Sequence, residues 1–205
     1  DNQANDGACT LREAIIASNT DTASGAAVGE CAAGSGAGDL IEFDISGTGL
    51  KTIHITSGLP SITRTVTIDG YTQTGASENT TSFPSPIDAS LKIEVDGSGM
   101  GSGTGIDIIG DGADNTTIKG LVINDVPYET IYITDSDNVT ISGNFIGTDS
   151  TGLVDDGGSG HGIRMSGTAT GTIIGGSSGA DRNIISGNGN AGVLFYGADV
   201  SGNSI

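Results

Sequence analysis

Tryptophan is absent from this chain of 205 residues, proline occurs 4 times, cysteine twice, and Lys plus Arg together only 7 times. Each shortage excludes something. Against those 7 bases stand 25 acidic side chains, for a formal charge of −18. Such a surface repels phosphate backbones and anionic lipid, so nucleic acid and membrane surfaces are not expected partners. No apolar run approaches the roughly 20 residues of a spanning helix, so membrane insertion is not expected either. The two cysteines, Cys9 and Cys31, make neither a CxxC pair nor a four-ligand zinc set. What abounds is glycine, 36 residues, without the three-residue period of collagen. Ile and Val recur at regular spacing, which argues against disorder. The length fits one domain, or one domain with a small cap.

Residues 1–38 read as that cap. Thr10-Leu11-Arg12-Glu13 fits a capping box, in which the hydroxyl of an N-cap and a Glu three residues later satisfy each other's main-chain donors. A helix over about 10–18 follows, with Leu11, Ala14, Ile15 and Ser18 on one mostly apolar stripe. Cys9 and Cys31 are expected to form a disulfide around a loop worth roughly 3 kcal/mol by chain entropy. A free thiol pair in a reducing compartment is the competing reading. The acidic, Gly/Ser-rich composition favours an oxidising exterior. A start at Asp1 fits export with a leader already removed.

From Asp39 the pattern changes to short β-branched runs separated by Gly, Asn and Asp. A tripeptide recurs in which an aliphatic residue stands two before a glycine. The aliphatic positions are Ile68, Val95, Ile118, Ile141, Ile173 and Val200, and the glycines are Gly70, Gly97, Gly120, Gly143, Gly175 and Gly202. The glycines step by 27, 23, 23, 32 and 27 residues. Val66, Ile93, Thr116, Val139, Gly171 and Ala198 stand two residues before the aliphatics, so the runs alternate in and out. A second series begins at Ile106, Ile131, Ile163 and Val193, and a third at Leu121, Phe145 and Ile184. Three short strands per repeat describe one turn of a parallel β-solenoid. The expected fold is therefore all-β: a parallel β-helix over 39–205 with about seven turns, capped by the N-terminal helix. The six aliphatics would line up as one buried file. The glycines would supply left-handed corners, and Asn144, Asn188 and Asn203 would bond between turns.

Uneven spacing marks three insertions, 71–90, 147–160 and 177–182, which can present a binding surface. The chain stops at Ile205 part-way through a turn. Either further turns of a longer parent follow, or a second copy stacks end to end, a contact that can grow filaments.

Cys9-Thr10-Leu11-Arg12-Glu13-Ala14-Ile15 resembles the Cys-Ser-Leu-Arg-Glu-Ala motif that opens many secreted bacterial right-handed parallel β-helix proteins, some adhesin-like or related to polymorphic outer-membrane proteins. Val66-Thr67-Ile68-Asp69-Gly70 and Gly143-Asn144-Phe145-Ile146-Gly147 are similar to the same group. Thr10 departs from the Ser of the motif and keeps a hydroxyl at the N-cap. The resemblance implies a right-handed coil, export and a cell-surface or extracellular setting. It implies no reaction.

An enzyme is the other class to weigh. Fragments similar to polygalacturonases occur at Asn19-Thr20-Asp21, Asp155-Asp156 and Gly160-His161-Gly162. The first falls in the cap, far from the acidic pair, whereas inverting hydrolysis places two carboxyls about 6.5–9.5 Å apart. His161 is expected at a corner and His54 on an outward strand position. A lyase would need clustered acids for calcium and a base; Asp149, Asp155 and Asp156 share one loop and are the calcium candidates, with Arg164 and Arg182 the nearest bases. A flat threonine ladder of Thr67, Thr117, Thr140 and Thr172 is interrupted by Glu94 and Asp199. Sequons at Asn79, Asn115 and Asn138 are expected by chance in a Thr-rich chain. The favoured expectation is a non-catalytic structural or adhesive scaffold with glycans as candidate partners. A polysaccharide-binding or polysaccharide-degrading β-helix is the alternative.

Overall fold

The computed structural model describes residues 4–36, 38–197 and 199–205. Helix α1 (Leu11–Thr20) begins where the capping box sits. Glu13 N–H donates to Thr10 Oγ1, and Thr10 N–H donates to the Glu13 carboxylate at 3.0 Å. The helix runs to Thr20, two residues beyond the expected 18, and is capped by Asp21 in the left-handed region. Leu11, Ile15 and Ala17 are buried, and the helix packs on the first strand. Cys9 and Cys31 are bonded, with Cα atoms 4.7 Å apart.

The strands then come in triplets. The first turn contributes β1 (Asp39–Glu42) and β2 (Lys51–His54). The second holds β3 (Val66–Asp69), β4 (Ile93–Asp96) and β5 (Ile106–Ile109). The third holds β6 (Thr117–Lys119), β7 (Leu121–Asn124) and β8 (Ile131–Thr134). The fourth holds β9 (Thr140–Ser142), β10 (Phe145–Ile146) and β11 (Ile163–Ser166). The fifth holds β12 (Ile173–Ile174), β13 (Ile184–Ile185) and β14 (Val193–Tyr196). Every strand pairs in parallel with its counterpart one turn away, giving three sheets: β1-β3-β6-β9-β12, β2-β4-β7-β10-β13 and β5-β8-β11-β14. Ile62 bridges Ile108 to supply the third wall of the first turn, and Ser204 bridges Ile173 in the first sheet. This is a right-handed parallel β-helix around one aliphatic core.

Two expectations need correction. Among the described residues five turns form, not about seven, because Val95-Asp96-Gly97 is not a turn of its own and no strand forms at Val200-Ser201-Gly202. Val95 instead lies in the second sheet, beside Ile53 and Ile123, within the turn that Ile68 begins. The 71–90 insertion lengthens that turn enough to look like two. The buried file is also not the expected one. Ile68, Ile118 and Ile141 do stack, but the next member is Ile174. Ile173 sits opposite Thr140 and is 43% exposed, while Ile174 is 2% exposed. Val200 belongs to no strand and packs on the core from outside that file. The same one-residue slip turns Thr172 inward, fully buried in register with Val139. Ala198 lies outside the described residues.

The six glycines divide likewise. Gly120, Gly143, Gly175 and Gly202 have positive φ, and Gly70 and Gly97 do not. Gly70 is required by proximity instead: a Cβ there would lie 2.1 Å from the Gly120 carbonyl oxygen one turn away.

Asparagines close the corner between the first two sheets. Asn144 Nδ2 donates to Ile118 O at 2.9 Å, and its Oδ1 accepts from Leu121 N–H at 3.0 Å. Asn183, one turn on, repeats the contact to Ile141 O at 2.8 Å. Asn203 Oδ1 accepts from Thr172 N–H at 2.7 Å. Asn188 occupies a different corner, donating to Ile146 O at 3.2 Å.

The long insertion is a cover, not a free loop. Outward positions of the second sheet become apolar from the third turn on: Val122, Phe145 and Ile184 are in register. Residues 71–90 fold over them, and Tyr71, Ile87 and Ala89 build a second small core with Leu91. Tyr71 Oη donates to Gly143 O at 2.8 Å, Asn79 Nδ2 to Gly179 O at 2.7 Å, and Arg182 Nη1 to Ser85 O at 3.0 Å.

Candidate functional site

Alternation along β5, β8, β11 and β14 sends one residue in two outward. In register, Asp107, Tyr132, Arg164 and Leu194 form one outward column, and Ile109, Thr134, Ser166 and Tyr196 the next. Strands one rung apart lie about 4.8 Å from each other, so side chains of a column touch. The charged and aromatic members gather around Arg164. Its Nη1 donates to Glu129 Oε1 at 2.9 Å. Its guanidinium carbon lies 5.1 Å from the Tyr132 ring centroid and 5.2 Å from that of Tyr196. Both distances fall within the range of cation–π attraction. Below the rings, Tyr132 Oη and Ser166 Oγ are 2.7 Å apart, and Thr134 Oγ1 lies 3.1 Å from Ser166 Oγ. These bonds fix Tyr132 while Tyr196 stays 63% exposed. Beside them opens a cleft of about 440 Å³, walled by Tyr132, Arg164, Ser166, Thr168, Tyr196 and Asp199.

Two carboxylates flank the Arg164 cluster, Asp107 in the column of Tyr132 and Glu129 bonded to Arg164, and their proton affinities shift in opposite directions. Burial pushes the Asp107 carboxyl up, and the charge of Glu129 adds to the push against a Ser61 hydrogen bond. Burial also works on Glu129, but the Arg164 hydrogen bond, with the charges of Arg164 and His161, holds it below the ordinary range. Asp107 Oδ1 and Arg164 Nε are buried with no partner. Neither carboxylate lines the cleft. The arrangement therefore offers a ring face, a fixed guanidinium and hydroxyls to a ligand, with the acids as its support.

The other expected residues disperse. His161 is part of a corner: its Nδ1 accepts from Ala191 N–H at 3.2 Å and its carbonyl from Thr130 N–H at 2.9 Å. His54 is exposed on β2, with Nδ1 2.6 Å from Asp96 Oδ2. The calcium trio shares its loop but is not brought together. Asp149 accepts from the main chain of Thr151, Leu153 and Val154, and Asp155 from Gly157 N–H. Asp156 turns toward Asn124. Among the described residues no three His, Cys, Asp or Glu side chains are placed to hold a metal ion. Arg182 ties down the insertion, on a different element from Arg164. Asn19 and Asp21 belong to the cap: Asn19 Nδ2 donates to Ser61 O, and Asp21 pairs with Arg64 at 2.9 Å. Asn79 is buried, which closes the first sequon.

Sequence reasoning reached Arg164 and His161 but missed Asp107, Glu129, Tyr132 and Tyr196. The signal was present in the second strand series, whose members each carry a non-aliphatic residue, or Leu194, one place after the first aliphatic. Reading that column across turns would have put Tyr132 next to Arg164.

The disulfide marks an oxidising, extracellular type of setting. No helix among the described residues is long and apolar enough to cross a membrane. No protein-family model, curated protein or solved structure matches the chain.

Proposed function

We propose that this chain is a secreted or cell-surface β-helix scaffold, non-catalytic and adhesive, that contacts glycans along the outer face of its third sheet. The observation that carries the reading is Arg164 pinned by Glu129 and by the Tyr132 and Tyr196 rings at the wall of an open cleft. Aromatic faces with hydroxyls and a planar cation suit the apolar faces and hydroxyl rims of sugars, and positioning comes from a rigid strand instead of a loop. The disulfide and the acidic, glycine-rich composition support export. With a net charge of −18, the face favours neutral polysaccharides over polyanionic ones.

Binding to a panel of neutral and acidic polysaccharides tests this. Saturable binding to at least one neutral glycan is expected, weakened about tenfold or more by Tyr196→Ala, the loss of roughly 1.4 kcal/mol. No binding across the panel, or binding indifferent to Tyr196→Ala, contradicts it. A polysaccharide-degrading β-helix is the second reading, with Glu129, bonded to Arg164 beside the cleft, as its candidate acid. Release of reducing ends that Glu129→Gln abolishes would establish that reading in place of the first.

A further inference from the structure

We propose that the cleft on the third sheet prefers an amino sugar, whose protonated amine is held by Asp199 beside the exposed ring of Tyr196. The proposal rests on the glycan reading above and names the class of glycan: a polymer with free amines, taken ahead of its neutral counterpart.

The cleft forms where the fourth and fifth turns lie in register. Ser166 stands opposite Tyr196, so Gly167 and Gly197 follow at one level, and both line the cleft. Neither puts a side chain into the opening. Gly197 has a φ of 133°, and Gly171 N–H donates to Ser201 O at 3.3 Å. That bond ties the segment after Gly197 to the preceding turn, which sets the place of Asp199.

Most polar groups of the wall are already engaged. Ser166 Oγ lies 2.7 Å from Tyr132 Oη and 3.1 Å from Thr134 Oγ1. Thr168 Oγ1 donates to Asp135 Oδ1 at 3.2 Å. Arg164, the only base on the wall, donates to Glu129 at 2.9 Å, and Glu129 stands outside the cleft. Asp199 is the only acid on the wall, and it is exposed. Among the described residues its carboxylate has no hydrogen-bond or ion-pair partner. With Arg164 balanced by Glu129, the cleft keeps one uncompensated negative charge.

An exposed aspartate alone makes no site. The independent observation is the ring three residues before it. Tyr196 is 63% exposed. Its ring already attracts one cation, the Arg164 guanidinium 5.2 Å from its centroid, and keeps most of its surface open. A sugar laid on that ring by its apolar face brings its polar rim to Asp199. A carboxylate accepts from either a hydroxyl or an ammonium, and the charged donor gives the shorter and stronger bond. The field of the whole chain acts in the same direction, because 25 acids against 7 bases draw a polycation in and repel a polyanion. A neutral sugar gains the ring without the field.

The test titrates the full chain by isothermal calorimetry with a short β-1,4-linked glucosamine oligomer and with the same oligomer fully N-acetylated. Acetylation removes the charge and leaves ring and linkage alone. Work at about pH 6 keeps the amine protonated, below the range of an ordinary α-amino group. At about 0.1 M salt, where the screening length is about 10 Å, the glucosamine oligomer should bind about fivefold more tightly, the upper range of an exposed ion pair. Asp199→Asn should bring the two oligomers within about twofold of each other. That variant removes one of 25 acidic side chains, so a preference arising from net charge alone would survive it. Tyr196→Ala should weaken both oligomers about tenfold. Equal affinity for the two oligomers, or a preference unchanged in Asp199→Asn, overturns the proposal and leaves the glycan reading standing. Binding of neither oligomer, with none across the polysaccharide panel, overturns both. A lysine oligomer of equal charge that binds as tightly as the glucosamine one also overturns the proposal, since it shows attraction to an acidic surface that needs no sugar.

Discussion

A single residue's place in its turn decides which way its side chain points, and neighbouring isoleucines show the size of that choice. Ile174 fills the file of Ile68, Ile118 and Ile141, while Ile173 faces out. In chemical denaturation, Ile174→Ala should cost about 2–5 kcal/mol, and Ile173→Ala less than about 1 kcal/mol. Thr172 supplies the converse case. Its hydroxyl is buried without a partner, at a position held by Val139 and Val66 in other turns. Thr172→Val should raise stability by about 1 kcal/mol, because an apolar group of the same shape removes an unsatisfied one. These positions were misread in the sequence because Gly175 follows its core residue directly, whereas Gly120 and Gly143 follow theirs by two. Counting back from glycine therefore placed a polar residue outside and an aliphatic one inside. Glu13, by contrast, was legible from the capping box alone. Burial works to raise its pKa, but hydrogen bonds from Thr10 and Ala4 hold it below the ordinary value. A carboxyl with a depressed pKa lends stability that is complete above its unfolded pKa and drains as pH falls through the folded one. Glu13→Gln should therefore flatten the acid limb of the stability curve below about pH 4.5, the ordinary value of a glutamate carboxyl.

At the scale of elements, strands and helix were readable while the purpose of the insertion was not. Val122 sits between Leu121 and Ile123, and such an unbroken apolar run reads as a strand buried on both faces without saying what covers the outer one. The cover is residues 71–90, and nothing local in their Thr/Ser/Pro-rich sequence names its target. Replacing 74–88 by a short glycine linker should expose Val122, Phe145 and Ile184. The expected result is strong binding of a hydrophobic dye and loss of soluble monomer. The 147–160 loop adds to this cover at its edge, where Gly152 lies against Ile184 and Phe145. The third sheet's outer face was half legible: its strands were found, but its columns become visible only when turns are stacked in register.

Across the whole molecule, charge sets the response to acid. Asp125 and Asp156 have raised pKa values, burial being the first cause and neighbouring carboxylates the second. Their native state binds protons more readily than the unfolded chain, so stability gains as pH falls from neutral through their folded pKa values. The gain ends where Glu13 and Asp39, both depressed, begin to protonate. Thermal unfolding should thus show its optimum on the acid side of neutral. The account as a whole rests on the register between turns, and engineered cysteine pairs test it most directly, since the two native cysteines are already bonded. Thr140→Cys with Ile173→Cys joins in-register partners on one outward face, with Cα atoms at about the 4.8 Å spacing that a disulfide accepts. This pair should oxidise readily in the folded chain, read by mass and by migration on a gel. Thr140→Cys with Thr172→Cys, the pairing that counting from glycine implies, should not. Efficient bonding of the second pair and none of the first would contradict the stacked coil described above.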